Sequence, residues 1–298
     1  MSMDLDDLQL LLDVAELGSF SQAAAIRGWS QPLVSQRIAH LELTLGAPLF
    51  QRHRRGVTPT RACEEFLPAA RSALTTLSEG RLAMQGAPAL PCIRLSSLPS
   101  LTSVVFGSLL MELVDEAFEI RCTTDHSGVI MQELLTGVTD IGFVLKCPPV
   151  AGLQMELLCC SPIIAIASPM HPLAGCHGLT LQDIADQRLA PQVWGPGCDV
   201  FIQQLRRLRR AASPLHRVQP ASAARDLALE HGFITLMPEL AIARDLEVGR
   251  LVKLDVCNLP QEHWDVMMAW RGGKRPNPAK EAVLATARAL AKRWRGER

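Results

Sequence analysis

The sequence places short hydrogen-bonding side chains on the outer side of one predicted helix, between residues 30 and 46. Gln31 and Ser35 are four residues apart and therefore share a face of that helix. Glutamine can pair with N6 and N7 of adenine, and serine can reach a base edge or a phosphate. This nearly uncharged face favours direct contact with bases in the major groove of DNA. The candidate contact residues are Ser30, Gln31, Pro32, Ser35, Gln36 and Arg37.

An arginine cluster follows the helix directly. Between Ser21 and Arg61 there are six arginines and one acid, whereas the whole chain has a formal net charge of +0. Guanidinium groups match phosphate oxygens, so this local excess is typical of a surface that binds the DNA backbone. We expect Arg37 to contact phosphate and Arg52, Arg54 and Arg55 to clamp phosphate or enter the minor groove. The alternative is a capped core helix beside a solvated basic loop.

Three short helices should position these residues. The first spans residues 5–17 and ends at Gly18, and the second follows a cap at Ser19 or Ser21 and ends at Gly28. In the third, Ser30 is the predicted N-cap, Pro32 lies in the first turn, and Gly46 ends the helix. Its apolar residues recur at helical spacing and form one buried stripe. The pattern predicts a helix-turn-helix core.

A small hairpin, or wing, is expected over residues 51–60, with its bend at Gly56. A long amphipathic helix should then run from Thr60 to about residue 85, a length of roughly 35–40 Å. Pro68 should bend or divide this helix. Because its apolar side is long, the simplest cover is the same helix of a second subunit. A cluster of Gly and Pro at 86–91 predicts a domain boundary.

Strand-like and helix-like stretches alternate through the rest of the chain, which predicts an α/β domain with mostly parallel sheets. Before the final predicted helix at 278–294, the expected strands are 93–97, 119–124, 141–145, 153–159, 163–168, 188–193, 216–219, 233–238 and 264–270.

Composition and motifs exclude several classes of protein. The nine cysteines are odd in number and scattered, without the paired spacing of a zinc site. The first residues lack a basic secretory signal, and no stretch approaches 18 consecutive apolar residues, so we expect a cytoplasmic protein without membrane contact. No nucleotide-binding, hydrolase or metalloprotease motif is present. We therefore expect no enzyme activity, no metal and no cofactor.

The sequence resembles the LysR-type transcriptional regulators, and the resemblance extends over nearly the whole chain. A dense signature lies in the first 62 residues, and family-like segments continue as far as residue 242. The matching segments are AELGSFSQAA (15–24), WSQPLVSQRIAHLE (29–42), VTPTRA (57–62), LLTGVTDIGFVL (134–145), SPMHPLA (168–174), LTLQDIADQRL (179–189) and HGFITLMPELAI (231–242).

The resemblance implies an α+β multidomain protein. Its expected parts are a winged helix-turn-helix (1–60), a dimerising linker helix and hinge (61–90), and an effector-binding domain (91–298) like periplasmic binding proteins. That domain should have subdomain I at about 91–162 and 268–298, and subdomain II at about 163–267. The implied partners are double-stranded promoter DNA, a small-molecule co-inducer such as a carboxylate, and further copies of the chain in a homodimer or a dimer of dimers, a homotetramer.

In such a protein the co-inducer lies in a cleft, where helix N-termini that follow strands can bind an anion or polar group. Each candidate residue also has a structural alternative: the hydroxyls could cap helices, the histidine could be a loop residue, the lysine could be solvated and the tryptophan could belong to the core. The candidates are Ser97, Ser100, Thr102, His126, Ser127, Lys146 and Trp194.

A thiol-based redox sensor of the same family is the alternative function. Cys176 and Cys198 both fall in the expected subdomain II, where by resemblance peroxide-sensing members keep their cysteines. Against it, the scattered cysteines look more like small buried hydrophobic residues. The sequence does not distinguish activation from repression, and it does not identify the co-inducer or the target promoter.

Overall fold

A computed structural model describes residues 3–54, 56–84, 90–210, 214–259, 261–273 and 276–296. The first part is the predicted three-helix core, with α1 (Leu5–Leu17), α2 (Phe20–Arg27) and α3 (Gln31–Leu45). Ser19 and Ser30 accept the N-cap hydrogen bonds of α2 and α3, and each helix ends at a glycine in the left-handed region, as the sequence predicts. The buried face of α3 is Val34, Ile38 and Leu41.

The wing consists of β1 (Phe50–His53) and β2 (Gly56–Pro59), paired antiparallel. It is joined to the helical core through Gly56, whose φ is +139°. A Cβ at this position would lie 2.3 Å from the carbonyl oxygen of Gly18, and the next amide, Val57, donates to that oxygen at 2.8 Å. Only glycine allows this close approach of two backbones, so Gly56 fixes the wing against the end of α1.

The linker helix α4 (Arg61–Met84) is continuous. It runs through Pro68, so the proline does not divide it. Cys63 and Ala70 are buried against the helical core, whereas Leu77 and Met84 are 52% and 89% exposed. At about 1.5 Å per residue the helix is roughly 36 Å long. The predicted domain boundary at 86–91 falls largely on residues 85–89, which lie outside the described residues.

The remaining strands form one seven-stranded sheet. Six follow the order β4-β3-β5-β9-β6-β7, and β8 pairs with β6. Among the described strands, β3 pairs in parallel with β4 and with β5. β9 runs antiparallel to β5 and β6, and β7 and β8 run antiparallel to β6. The bounds are β3 Cys92–Ser97, β4 Glu119–Thr124, β5 Ile141–Leu145, β6 Leu153–Ala167, β7 Thr235–Pro238, β8 Val252–Lys253 and β9 His263–Arg271.

Three sequence predictions about the strands of this domain are wrong. The sheet is mixed rather than mostly parallel, because β9 returns from the far end of the chain and inserts between β5 and β6. The two strands expected at 153–159 and 163–168 are one 15-residue strand, β6, which continues through Pro162. The expected strands at 188–193 and 216–219 form only isolated bridges, at Leu189 and between Gln192 and Val218.

Helices pack around this sheet and bury its apolar side chains. The largest core cluster reaches from Leu95 and Phe143 to Leu236 and Trp264, so β6 and β9 carry one core through both halves of the domain. Within the described ranges, no helix is both long and apolar enough to cross a membrane. The helices are α5 Thr102–Glu112, α6 Ser127–Thr136, α7 Leu181–Ala185, α8 Pro196–Leu208, α9 Ala221–Glu230, α10 Ala243–Glu247 and α11 Pro278–Trp294.

Candidate nucleic-acid interface and effector cleft

The candidate reading face lies on the outer side of α3. Ser30, Gln31, Pro32 and Gln36 are exposed, and Ser35 is partly exposed. Val34 on the opposite side is fully buried. The exposed side-chain amides of Gln31 and Gln36 are therefore available to an external partner, whereas Ser30 Oγ caps α3 and Ser35 Oγ accepts a hydrogen bond from Arg52. None of the exposed members of this face carries a charge.

The wing places arginines beside this face. Arg52 is exposed; its Nη2 donates to Ser35 Oγ at 2.8 Å and its guanidinium lies 4.8 Å from the centre of the Phe20 ring. Arg54 is exposed and forms no ion pair with any residue that the structure describes. Arg55, the third predicted wing contact, lies outside the described residues. The described wing thus offers one arginine held against α3 and one projecting freely.

Arg37 is placed differently from the sequence expectation. Its Nε is 2.7 Å from Asp7 Oδ1 and its Nη2 is 2.6 Å from Asp4 Oδ2, both at the start of α1. These two carboxylates neutralise the guanidinium inside the domain, so it is not available as the phosphate contact that its position on α3 suggests. The hydrogen bond that Arg37 donates to Asp7, together with the negative charges of Asp7 and Asp4, raises the pKa of Arg37.

In the C-terminal domain, three loops that carry predicted effector-binding residues lie together at the carboxyl ends of neighbouring parallel strands. Ser97 ends β3, and Thr124 and Phe143 are its partners on β4 and β5, so the loops after these parallel strands are neighbours. These loops carry Ser100, Thr102, His126, Ser127 and Lys146. The strand order therefore gathers six of the seven candidates.

Several of these side chains already have local roles. Thr102 Oγ1 donates to Pro99 O at 2.9 Å, which is a turn contact at the start of α5. Ser97 is fully buried, whereas His126 is exposed. His126 precedes the first residue of α6, Ser127, but makes no side-chain capping hydrogen bond. Of Ser97, Thr102, His126 and Ser127, only the last two have side chains without a hydrogen bond to another described residue.

Lys146 is engaged by a carboxylate of the chain itself. Its Nζ is 3.2 Å from Asp265 Oδ2 on β9, and His263 Nε2 is 3.2 Å from the other oxygen. Burial opposes ionisation of Asp265, but hydrogen bonds from Cys160 and Lys146, with the neighbouring positive charges, hold its pKa below the ordinary value. A carboxylate ligand at Lys146 would therefore have to compete with Asp265.

Trp194 is a core residue rather than a wall of the cleft. It is 5% exposed and its ring centre is 5.9 Å from that of Phe201. Its backbone oxygen accepts a hydrogen bond of 3.1 Å from Trp264 Nε1 on β9. The large apolar ring is buried in the core although the residue directly precedes a Gly-Pro-Gly turn. The sequence prediction for Trp194 is corrected accordingly.

Five described helices of this domain begin without a side-chain cap. They are α5, α6, α8, α9 and α10, whereas Ser30 and Asn277 cap α3 and α11. Their first backbone N–H groups are therefore left for other acceptors. At α8 an internal acceptor is close, because a Cβ on Gly197 would lie 2.3 Å from Glu262 Oε1. No sequence signal pointed to Glu262, which comes from a segment 65 positions away.

Three cavities of the described chain lie elsewhere. One of about 1040 Å³ is a groove between α5, α9, α10 and the end of α11, lined by Ser103, Met111, Arg225 and Arg293 among others. Two smaller cavities of about 560 and 480 Å³ lie near Lys280 and near His171. None of the seven predicted effector-binding residues lines these three cavities.

No two of the nine cysteines are joined by a disulfide in the described chain. Cys198 is buried and its Sγ lies 3.6 Å from Gln192 O, and burial raises the pKa of this thiol. Cys176 is exposed. Among the described residues, no group of three or more His, Cys, Asp or Glu side chains could hold a metal ion.

Comparisons with known proteins agree with this architecture. The family model "LysR substrate binding domain" matches residues 92–292, and "Bacterial regulatory helix-turn-helix protein, lysR family" matches residues 5–64. The chain is 26% identical to the HTH-type transcriptional regulator CbbR of Rhodospirillum rubrum, over 97% of each protein. It is 30% identical to the HTH-type transcriptional regulator BudR of Raoultella terrigena, over 74% of this chain and 78% of BudR.

Solved structures show the same fold. CbnR, a LysR family transcriptional regulator, is 21% identical, with a TM-score of 0.66 over 97% of this chain and 100% of that one. The family models together span most of the sequence, and the helix-turn-helix and substrate-binding parts follow in the family's order. The chain belongs to the LysR family of bacterial transcriptional regulators.

Proposed function

We propose that this regulator binds promoter DNA sequence-specifically, with the outer face of α3 in the major groove and the wing on the phosphate backbone. The observation that carries the proposal is the exposed, uncharged face of Gln31, Pro32 and Gln36 beside the exposed arginines of the wing. Short amide and hydroxyl groups suit base edges, and free guanidinium groups suit phosphates. Base preference and electrostatic affinity would then come from different elements.

Salt dependence of DNA binding tests this division. A duplex selected by the wild-type protein from a random library would serve as the operator, with affinity measured by fluorescence anisotropy at several salt concentrations. We expect the logarithm of affinity to fall linearly with the logarithm of salt concentration. Arg54→Ala should reduce the slope by about 0.9, the value for one phosphate contact. Arg206→Ala, which removes an exposed arginine on α8, is the matched control and should leave the slope unchanged.

We also propose that a small molecule regulates the protein from the cleft between the two subdomains. Neighbouring strand ends with uncapped helix N-termini support a ligand that carries hydrogen-bond acceptors. Because Asp265 and Glu262 already face Lys146 and α8, a carboxylate ligand would bind by displacing these internal carboxylates. His126 and Ser127 remain the candidates for direct contact with the ligand. Trp194 is not a candidate, because it is buried in the core.

A thermal-shift screen of small carboxylates on the full chain tests the effector proposal. A ligand at one hundred times its dissociation constant stabilises the native state by about 2.7 kcal/mol, which raises the unfolding midpoint. Ser127→Ala should reduce that shift, whereas Ser222→Ala, in the groove beside α9, is the control. A ligand that shifts the wild type and the Ser127→Ala variant equally would contradict the assigned location.

The redox alternative has less support from the described geometry. A sensing thiol reacts as the thiolate and needs access to its oxidant. Cys198 is buried, with a pKa raised by burial, so its thiol is protonated and shielded at neutral pH. Unchanged DNA binding after peroxide treatment of the wild type would agree with this reasoning, and a change abolished by Cys198→Ser would contradict it.

The exposed far end of α4 supports self-association. Leu77 and Met84 are apolar and largely uncovered in one subunit, and the helix is long enough to pair with its copy. We propose a homodimer through α4, or a dimer of such dimers. Sedimentation at several protein concentrations, with Leu77→Glu expected to weaken the dimer, provides the test.

A further inference from the structure

The recognition helix α3 carries two side chains with full charge at neutral pH, Arg37 and Glu42. Both are used inside the domain. Arg37 bridges Asp7, through Nε at 2.7 Å, and both oxygens of Asp4, through Nη2 at 2.8 and 2.6 Å. A guanidinium that donates to two carboxylates at once has a fixed orientation, and the two negative charges balance its positive charge.

The two carboxylates also begin α1. Asp7 N donates to Asp4 Oδ1 at 2.8 Å, and Asp4 N donates to Asp7 Oδ2 at 3.1 Å, which together form a capping box. Two carboxylates this close repel each other, and the Asp7 side chain is only 5% exposed. Arg37 offsets that repulsion, so a residue of α3 completes the N-terminus of α1.

A tryptophan links the same arginine to α2. The guanidinium carbons of Arg37 and Arg27 lie 5.1 and 5.0 Å from the centre of the Trp29 ring, in the turn between α2 and α3. Arg27 is also paired, with its Nε 2.6 Å from Asp13 on α1. Trp29 is therefore held by two arginines, each bound to α1, and the contacts fix the rotation of α3 about its own axis.

Glu42 acts at the opposite end of α3. Its Oε1 accepts hydrogen bonds from Leu49 N at 2.7 Å and from Phe50 N at 3.2 Å, where the wing begins. The charged residues of the recognition helix thus tie it to α1 on one flank and to the wing on the other. Only uncharged groups of α3 remain for bases.

We propose that Arg37 and Glu42 are positioning residues for DNA reading, which act through Asp4, Asp7 and the wing backbone and do not contact phosphate. The proposal rests on the proposed sequence-specific DNA binding. It implies that loss of Arg37 rotates the reading face, which weakens binding to the operator. Binding to unrelated duplex, which depends on the wing arginines, stays as in the wild type.

The experiment compares Arg37→Met, Asp7→Asn and the double variant on the selected operator and on a scrambled duplex. We expect each single variant to weaken operator binding about tenfold with an unchanged salt slope. The double variant should be no weaker than either single variant, because both remove one interaction. A slope reduced by about 0.9 in Arg37→Met, together with unweakened binding in Asp7→Asn, would overturn the proposal and indicate a phosphate contact.

Conservative variants separate positioning from folding. Arg37→Lys keeps the charge but lacks the rigid planar fork that reaches Asp7 through Nε and Asp4 through Nη2, so it should lose operator affinity much as Arg37→Met does. Wild-type binding by Arg37→Lys would contradict the positioning role. Glu42→Gln retains an acceptor for the wing amides and should bind better than Glu42→Ala; equal binding by these two would refute the role of Glu42.

Circular dichroism identifies any variant that fails to fold. If Arg37→Met does not fold, Arg37→Lys and Asp7→Asn decide between the two readings of Arg37 by the same criteria. A wild-type protein without salt-dependent DNA binding would instead remove the proposed function. That result is distinct from every failure of the positioning role.

Discussion

Replacing Gly56 by alanine tests how the wing is attached. At a φ of +139° a non-glycine residue costs about 1–3 kcal/mol in backbone strain. The new Cβ would also lie 2.3 Å from Gly18 O, a backbone atom that cannot rotate away. Moving it breaks the hydrogen bond from Val57 N, worth about 1 kcal/mol. The expected destabilisation is therefore about 2–4 kcal/mol, localised in the N-terminal domain.

Hydrogen exchange resolved by peptide mass spectrometry is the appropriate assay, because it reports on the two domains separately. Amides of α1 and α2 should exchange at least tenfold faster in Gly56→Ala, while those of β6 and β9 keep wild-type rates. Gly80→Ala is the control: Gly80 lies in α4 with open space around its missing Cβ, so alanine should stabilise the helix by about 0.5–1 kcal/mol. Wild-type exchange rates in Gly56→Ala would show that the wing is not held to α1 through this close backbone contact.

Two further predictions concern buried groups in the C-terminal domain and in the linker. The hydrogen bond from Arg225, with the charges of Arg225 and Arg250, lowers the pKa of Asp245, so its contribution to stability is present above about pH 4 and is lost on further acidification. Urea unfolding between pH 3 and 6 should therefore show a weaker acid dependence in Asp245→Asn, and an unchanged dependence would contradict the assignment. Burial raises the thiol pKa of Cys63 to about 12, so at pH 8 a disulfide reagent should modify exposed Cys176 well before Cys63, with peptide mapping as the measurement. Equal rates in the folded protein would contradict the buried placement of Cys63.

Local signals explain why the N-terminal domain and the final helix could be predicted from the sequence. The cap at Ser30 and the glycine at Gly46 each act within one turn of α3, and the structure has both. The helix predicted at 278–294 has those bounds in the structure. Such signals depend on neighbours in the chain, so they need no knowledge of the tertiary fold.

The features that sequence reasoning missed depend on residues far apart in the chain. Arg37 meets Asp4 across 33 positions, and that pairing removes a charge that α3 alone appeared to offer to DNA. Pro162 lies within β6 because that strand pairs with β9, about 100 residues later. Trp194 is buried in a core cluster that includes Trp264 of β9, 70 positions later, which its neighbours in sequence could not indicate.

The groups of α3 that would read bases define the most direct test of the account. Binding-site selection with wild-type protein, Gln31→Ala and the control Gln203→Ala, an exposed glutamine on α8, would compare base preference at every operator position. We expect Gln31→Ala to lose preference at one base pair, worth about 1–3 kcal/mol, and Gln203→Ala to select the wild-type sequence. An identical selected sequence for Gln31→Ala and wild type would contradict the reading of DNA by this face of α3.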